Sequence, residues 1–252
     1  MRPILFLPCA VLLVLGLSLA VTAGPLTPPT GAVVSTGRFG PTIDIKTLAG
    51  DANSVHRITQ PGSYYLSGNV TGASGLSGIE IGTSNVTIDL NGYSLVGVAG
   101  SLDGISVSTF ADQVHIKNGI IRNWAGAGVF LNGGLGTVED LTVRSNGGYG
   151  IRVIAGVNRV QNCLVIQNGN GVAGTGGIRV DNDSVVEGCL AVGNTGIGVQ
   201  TGLACVVANN VIASNNVQGV SAGNDGCLVG NVVRNNGANT TANCTVVNNR
   251  GI

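Results

Sequence analysis

The sequence predicts an all-β fold in which short parallel strands stack as a solenoid, and three observations carry this prediction. First, a motif of Gly, an apolar residue, any residue and a second apolar residue recurs along the chain. Second, Asn- and Gly-rich turns separate short runs in which apolar and polar residues alternate. Third, no stretch has helical periodicity long enough for a crossover helix, which argues against βαβ folds. Three short strands per repeat, stacked in parallel, describe a parallel β-helix.

The recurring motif sets the predicted length of each coil. Its copies begin at Gly78, Gly104, Gly128, Gly150, Gly177, Gly196 and Gly219. The spacings are 26, 24, 22, 27, 19 and 23 residues, so we expect about seven coils of 19–27 residues. Alternation places the apolar residues of each motif inside the coil. The predicted inward residues are Ile79, Ile81, Ile105, Val107, Val129, Leu131, Ile151, Val153, Ile178, Val180, Ile197 and Val199.

The composition limits the function. The chain of 252 residues carries 12 Lys and Arg against 12 Asp and Glu, and only 10% of its residues are charged. This balance disfavours strong attraction to nucleic acid or to acidic membranes, so no nucleic-acid partner is expected. Gly, at 42 residues, lacks the Gly-x-y period of collagen. Aromatic residues make up 4%, fewer than proteins that bind sugars or bases by stacking usually carry.

The N-terminus predicts export. Residues 1–23 have the features of a secretory signal peptide, with Arg2 at the positive end and an apolar region over Ile4–Leu19. Val21-Thr-Ala23 offers a small-x-small cleavage site, and an uncleaved anchor is the alternative. The apolar region is short for a membrane span and Pro8 interrupts it. We expect a secreted, periplasmic or cell-surface protein with no membrane span in the mature chain.

A leader and cap are predicted to precede the coils. Residues 24–57 form the Pro- and Gly-rich leader and N-terminal cap, and residues 58–252 form the β-helix. Within the leader, residues 24–41 are predicted to be extended. Thr42 to Ser54 is predicted to hold a short helical turn or an irregular cap. The segment Ile58–Leu66 predicts strand, Pro-Gly turn and strand, covering the first open coil.

Two segments and the repeats resemble a known superfamily. The segments are Ile58-Thr-Gln-Pro-Gly-Ser-Tyr-Tyr-Leu66 and Val86-Thr-Ile-Asp-Leu-Asn-Gly92. With the repeats, they resemble the right-handed parallel β-helix superfamily, which includes pectate-lyase-like folds and NosD-type periplasmic repeat proteins. The resemblance covers about Ile58 to the C-terminus and implies one right-handed β-helix domain. It is specific for the fold and weak for activity, since many functions share this scaffold.

Equivalent residues of a solenoid stack about 4.8 Å apart, which predicts an asparagine ladder at one corner. The predicted members are Asn146, Asn168, Asn194, Asn215 and Asn249. Stacked amides can hydrogen-bond along the axis, and Asn tolerates the left-handed backbone that tight corners need.

The cysteines follow the same alignment. Cys163 and Cys189 occupy one inward position, Cys205 and Cys227 share another, and Cys244 is left over. Side chains that lie side by side in a flat ladder have poor disulfide geometry, so we expect stacked free thiols at Cys163 and Cys189. A Cys205–Cys227 disulfide stays open as an alternative because their turn is less regular. No Cys and His cluster has zinc spacing, so no structural metal is expected.

A first candidate binding site is a column of charges on the outer face. The alignment stacks Asp89, Lys117 and Glu139, with His115 beside them. As a functional site, this would be a polar groove in which His115 acts as a base and Lys117 neutralises an acidic sugar. The structural alternative, which we favour, is an exposed ladder of ion pairs worth about 0–1 kcal/mol per pair.

A second candidate site contains two arginines in one outward column. Arg152 and Arg179 fall on neighbouring coils, where like charges repel unless Asp181, Asp183 or Glu187 pairs with them. The arginines could instead bind a uronate or sulfate bidentately. Residues two apart on a strand share a face, so Asp181 and Asp183 could hold calcium weakly, or the pair could merely lie in a turn; no other cofactor is expected. Arg152, Arg179, Asp181 and Asp183 are therefore the candidate catalytic residues.

These observations leave function classes open. We favour a non-catalytic glycan-binding or structural surface protein with an acidic polysaccharide as its partner. The alternative, implied by the resemblance, is a uronate polysaccharide lyase or epimerase. Catalytic members use clustered acids for calcium or for acid–base work, whereas the acids here are scattered. A metal-maturation role would need Met- or His-rich ligands, but the chain has one Met and two His.

The C-terminal segment Asn248–Ile252 resembles the entry to another coil. Solenoids need polar terminal caps because an open coil exposes core and strand edge. We therefore expect an open C-terminal coil or self-association through that end.

Overall fold

The chain winds as a parallel β-helix in which a coil contributes up to three short strands. The computed structural model describes residues 42–107, 109–171, 174–242 and 244–251. The predicted signal peptide at 1–23 and the extended segment at 24–41 lie outside the described residues. Among the described residues, no helix is long and apolar enough to cross a membrane.

The secondary structure is almost entirely strand. A short 3₁₀ helix covers Ile45–Thr47, which confirms a helical turn in the cap. The strands are β1 Ile43–Asp44, β2 Ser54–Ile58, β3 Gly62–Tyr65, β4 Val70–Thr71, β5 Ser77–Ile81, β6 Val86–Asp89, β7 Ser94–Val96, β8 Ile105–Ser106, β9 Val114–Arg122, β10 Val129–Asn132, β11 Thr137–Arg144, β12 Ile151–Ile154, β13 Arg159–Gln161, β14 Leu164–Ile166, β15 Gly176–Val180, β16 Val185–Glu187, β17 Leu190–Val192, β18 Ile197–Thr201, β19 Val206–Ala208, β20 Val211–Ala213, β21 Gln218–Ala222, β22 Cys227–Val229, β23 Val232–Arg234, β24 Thr240–Ala242 and β25 Thr245–Val247.

The strands form three faces. The first sheet has nine strands in the order β2-β5-β8-β10-β12-β15-β18-β21-β24. A second sheet of 16 strands turns a corner. The second face of the β-helix carries β1, β3, β6, β13, β16, β19, β22 and β25, and the third face carries β4, β7, β14, β17, β20 and β23. The long strands β9 and β11 run through both of these faces, because each pairs with strands on either side of the corner.

The first sheet counts nine coils where the Gly-apolar-x-apolar motif predicts about seven. The two extra coils, at β2 and β24, lack the motif: their sequences are Ser-Val-His-Arg-Ile and Thr-Thr-Ala. The segment Ile58–Leu66 is thus part of the first coil and does not cover it, because β2 and β3 pair in parallel with the next coil. The first strand of the first sheet, β2, begins at Ser54, and β1 pairs in parallel with β3 on the second face.

The predicted inward residues are buried, with one exception that corrects the alignment. Ile197 is half-buried and pairs with Gly176, whereas Val199 pairs with Ile178. The sixth motif therefore begins at Gly198 and not at Gly196. Gly196-Ile-Gly-Val199 fits the motif, whereas Gly198-Val-Gln-Thr201 has Thr at the second apolar position, so the motif selects the wrong glycine.

The glycine of the motif is explained by the asparagine ladder. A Cβ added to Gly150 would lie 2.8 Å from Nδ2 of Asn168, and one added to Gly177 would lie 2.9 Å from Nδ2 of Asn194. The same contact would arise at Gly198, at 2.5 Å from Asn215. Any side chain at these positions would displace a ladder amide, so the two repeating features of the sequence are one packing unit.

The ladder differs from the prediction at its C-terminal end. Each amide donates through Nδ2 to Oδ1 of the next, at 2.9 to 3.1 Å. Its members are Asn146, Asn168, Asn194, Asn215 and Asn236. Asn249 belongs instead to a second ladder at the other corner of the third face, after Asn210 and Asn231. The predicted membership of Asn249 is therefore wrong, because both corners carry Asn.

The second ladder continues the column of the buried cysteines. Cys163 and Cys189 precede strands paired in register, and the backbone N–H of Cys189 donates to Oδ1 of Asn210 at 2.8 Å. A hydrogen bond with Cys189, together with burial, raises the pKa of the Cys163 thiol. Both are free thiols, as predicted.

The Cys205–Cys227 disulfide is not formed. Cys227 pairs in register with Val206, so its side chain points to the opposite face from that of buried Cys205. All five cysteines from Cys163 to Cys244 are free thiols. The shared position predicted from the alignment is off by one residue, because a one-residue shift reverses the face of a strand.

The last described coil holds β24 and β25. Val246 and Val247 of this coil are both exposed. Self-association through this coil stays a prediction.

Candidate functional site

Two arginines lie side by side on the outer surface of the first sheet. Arg152 of β12 pairs in register with Arg179 of β15. Their inward neighbours are buried, so alternation directs both arginines outward. The guanidinium of Arg152 lies over the ring of Phe130 on the preceding coil, 5.1 Å from the ring centroid. The column predicted from sequence is thus present.

The pair sits in a groove made of two adjoining pockets. One, of about 240 Å³, contains Arg152 and Phe130, and the other, of about 370 Å³, contains Arg179 and Gln200. Tyr149 lines both pockets. Its hydroxyl donates to Oε1 of Gln200 at 2.6 Å and so crosses the coil of Arg179. The two arginines therefore occupy neighbouring compartments with Tyr149 between them.

Asp103 is a groove residue that the sequence reasoning missed. It lines the smaller pocket with Arg152, and its Oδ1 accepts the backbone N–H of Ala127 at 2.6 Å. Burial raises the pKa of its carboxyl, against the opposing effects of Ala127 and Arg152. Asp103 precedes a strand and lies outside the aligned columns. Its position directly before the motif glycine Gly104 is the signal that could have identified it.

The structure places Asp181 and Asp183 in a turn, which is one of the two alternatives left open by the sequence. Both lie in the turn after β15, so they do not share a strand face. Oδ2 of Asp181 accepts the backbone N–H of Ala155 at 3.1 Å, and exposed Asp183 has a left-handed backbone with φ of 56°. Among the described residues, no ion pair links either carboxylate to Arg152 or Arg179, and no group of three potential ligands could hold a metal.

Glu187, the third predicted partner of the arginines, lies on the second face. Its Oε2 is 3.5 Å from Nη1 of Arg159. The two residues are in neighbouring columns of β13 and β16, where each is about half exposed. Glu187 therefore forms an ion pair with Arg159, and not with Arg152 or Arg179.

The first predicted column is also present, on the second face. Asp89 pairs with Lys117 and Lys117 with Glu139, while His115 stands in the next outward column. Nε2 of His115 lies 2.7 Å from Oε1 of Glu139, and Gln161 donates to Oε2 of Glu139 at 2.5 Å. Burial alone would raise the pKa of the Glu139 carboxyl, but hydrogen bonds from Gln161 and His115 outweigh it and lower the pKa.

Lys117 differs from its neighbours in this column. Its side-chain amine makes no hydrogen bond or ion pair with any described residue. With Asp89, Thr87 and Tyr65 it lines an open cleft of about 340 Å³. The predicted stacking is confirmed, while the predicted roles of His115 as a base and Lys117 as a binding group stay predictions.

Residues 103–252 match the sequence model of the family described as the right-handed β-helix region. The chain belongs to the right-handed β-helix family. The resemblance inferred from the repeats is thereby confirmed. Comparison with curated proteins finds no match.

Solved structures with a similar fold include polysaccharide-active proteins and a phage tailspike. An alginate lyase from a Paenibacillus strain is 14% identical, with a TM-score of 0.56 over 83% of this chain and 94% of that one. The A-module of a mannuronan C-5 epimerase from Azotobacter vinelandii is 15% identical, with a TM-score of 0.47 over 77% and 67%. Tailspike protein 2 of bacteriophage CBA120 is 14% identical, with a TM-score of 0.46 over 82% and 43%. At 14% identity, the likeness to the alginate lyase shows the fold alone.

Proposed function

We propose that this right-handed β-helix protein is exported and binds an acidic polysaccharide, without cleaving it, in the groove of Arg152 and Arg179. The observation that carries the proposal is the in-register arginine pair. No described carboxylate forms an ion pair with either guanidinium. The backbones of the two arginines are about one strand spacing apart, so their positive charges repel each other, and an anionic ligand in the groove would offset that repulsion. Planar guanidinium groups match carboxylates bidentately.

The groove also has the other elements of a sugar-binding surface. Phe130 supplies aromatic contact area and Gln200 supplies a polar group, while buried Tyr149 lines both pockets. The two compartments hold one arginine each, which suits a polymer with acidic groups on successive units. Alginate is a uronic polymer, and the likeness to an alginate lyase supports uronans as the first ligands to test.

Binding without cleavage is supported by the structural role of the Asp181 carboxylate. The Asp181 carboxylate accepts a backbone N–H of the preceding coil, so it closes a turn. Export rests on the signal-like sequence of residues 1–23.

The test is calorimetric titration of the full chain with polymannuronate, polyguluronate and polygalacturonate, with dextran as a neutral comparison. We expect binding of at least one uronan and none of dextran. Arg179→Ala should weaken binding about tenfold or more, since a charge-assisted hydrogen bond is worth ~1.5–3 kcal/mol. Arg159→Ala, an exposed arginine on the second face, is the matched control and should bind like the wild type. Equal binding by both variants would refute the proposal.

A second candidate function is a uronate polysaccharide lyase or epimerase, and one observation favours it. Asp103, with its raised pKa, lies in the same pocket as Arg152. A carboxyl group in a groove whose pKa is raised by burial can act as an acid or a base, while an arginine neutralises the sugar carboxylate. Unsaturated-product absorbance and reducing ends, followed with and without calcium, distinguish the two functions. Turnover that is lost in Asp103→Asn, with binding retained, would establish the enzyme.

A further inference from the structure

The third face of the β-helix presents an apolar surface to solvent. In each coil, the strand of this face has a buried central residue, such as Val165 or Ile212, and the residues before and after it point outward. The outward residues of the central coils are all aliphatic. They are Leu164, Ile166, Leu190, Val192, Val211, Ala213 and Val232, paired in register from coil to coil. Leu190 is 38% exposed, and the others are half-buried except for buried Ala213.

Arginines stand at both ends of this apolar surface. Arg122 and Arg144 pair in register on the N-terminal side, and Arg234 follows on the C-terminal side in the same outward column. None of the three guanidinium groups makes a hydrogen bond or ion pair with a described residue. In the described part of the chain, the two outward columns from Ile120 to Arg234 hold no carboxylate.

The size and charge of the surface decide what fits it. Two columns over four coils, at about 4.8 Å per coil, give an apolar stripe on the order of 200 Å². A stable protein interface needs about 800 Å² on each partner. A second copy would also bring arginines against arginines, whether the two faces met parallel or antiparallel, without carboxylates to neutralise them. The stripe is therefore too small and too cationic for self-pairing.

We propose that the third face docks on an anionic lipid bilayer. Leu164, Leu190 and their aliphatic neighbours enter the boundary between head groups and acyl chains. Arg122, Arg144 and Arg234 contact lipid phosphates at the rim. The groove of Arg152 and Arg179 lies on the first sheet, so it stays open when the third face is on the membrane.

Vesicle co-sedimentation of the full chain tests this docking. We expect binding to phosphatidylcholine vesicles that contain phosphatidylglycerol, and much weaker binding to phosphatidylcholine alone. Arg144→Ser should lower the partition coefficient about fivefold, because a basic residue near an anionic surface is worth ~1 kcal/mol. The double variant Leu164→Ser with Leu190→Ser should lower it about tenfold. Every variant carries the same residues 1–23, so their apolar contribution cancels in these ratios.

Arg159→Ser, on the second face, is the matched control and should bind vesicles like the wild type. Circular dichroism checks that each variant is folded. Equal loss in Arg144→Ser and Arg159→Ser would overturn the proposal, and so would equal binding to both kinds of vesicle. Sedimentation showing a dimer that the leucine variant abolishes would also overturn it, in favour of a protein partner.

Discussion

Removing one amide from the middle of the first asparagine ladder is expected to cost several kcal/mol of folding free energy. Asn194 is fully buried. Its Oδ1 accepts the backbone N–H of Asn168 at 3.0 Å and Nδ2 of Asn168 at 3.1 Å. Its Nδ2 donates to the carbonyl of Val165 at 3.1 Å and to Oδ1 of Asn215 at 2.9 Å. One side chain thus joins three successive coils.

The loss of folding free energy in Asn194→Ala depends on which hydrogen-bonding groups are left without a partner. The backbone N–H of Asn168 is left unpaired in the interior, which costs about 1–3 kcal/mol. Nδ2 of Asn168 keeps the carbonyls of Val143 and Ile166, and Oδ1 of Asn215 keeps the backbone N–H of residue 194. The three other lost bonds therefore cost only their net value, roughly 0.5–1 kcal/mol each. The total is about 2.5–6 kcal/mol.

Urea unfolding measures this loss. Circular dichroism reports the strands, and fluorescence of the single tryptophan, buried Trp124, reports the core. Asn216→Ala is the matched control, because Asn216 is exposed and its side chain makes no described hydrogen bond. We expect that control to change stability by less than about 0.5 kcal/mol. A loss below about 1.5 kcal/mol in Asn194→Ala would refute the ladder as a source of stability.

Three further predictions concern packing, pH and thiol access. Gly150→Ala should lose about 1–3 kcal/mol in the same urea titration, because its Cβ would lie 2.5 Å from a methyl of Val165; wild-type stability would contradict this. Glu139 has a folded pKa below its usual 4.5, so its contribution is present above that pH and is lost as pH falls through the folded pKa. Melting temperatures of the wild type and Glu139→Gln should therefore converge in acid, and a constant difference would refute the ionised contact. Alkylation followed by mass spectrometry should label half-buried Cys227 in the native protein and buried Cys163 only after unfolding, and the reverse order would contradict the register.

Much of the candidate site could be predicted because it lies on strands. Alternation and the coil repeat together place residues on a face and in a column, and neither needs tertiary information. On this basis the sequence predicts that Arg152 stacks on Arg179, and that Asp89, Lys117 and Glu139 form a column.

Alternation and the coil repeat do not place the residues of the corners and turns. The number of residues between strands varies: on the first sheet, Ile151 pairs with Ile178 but Val220 pairs with Thr240. A motif or an Asn near a corner therefore has more than one alignment, and Asn249 was placed in the wrong ladder for that reason. Turn residues also lie outside the alternation, which is why Asp181 and Asp183 do not share a face.

By itself, then, the sequence determined the parallel coils, the buried aliphatic interior and the outward columns, since all three follow from local periodicity. Only the tertiary structure decided the groove. Asp103 reaches it from a corner, and the hydroxyl of Tyr149 crosses a whole coil to Gln200. Such contacts depend on how far each corner carries the chain and how long each side chain is. No period along the sequence records either quantity, so the groove emerges only when the coils are stacked.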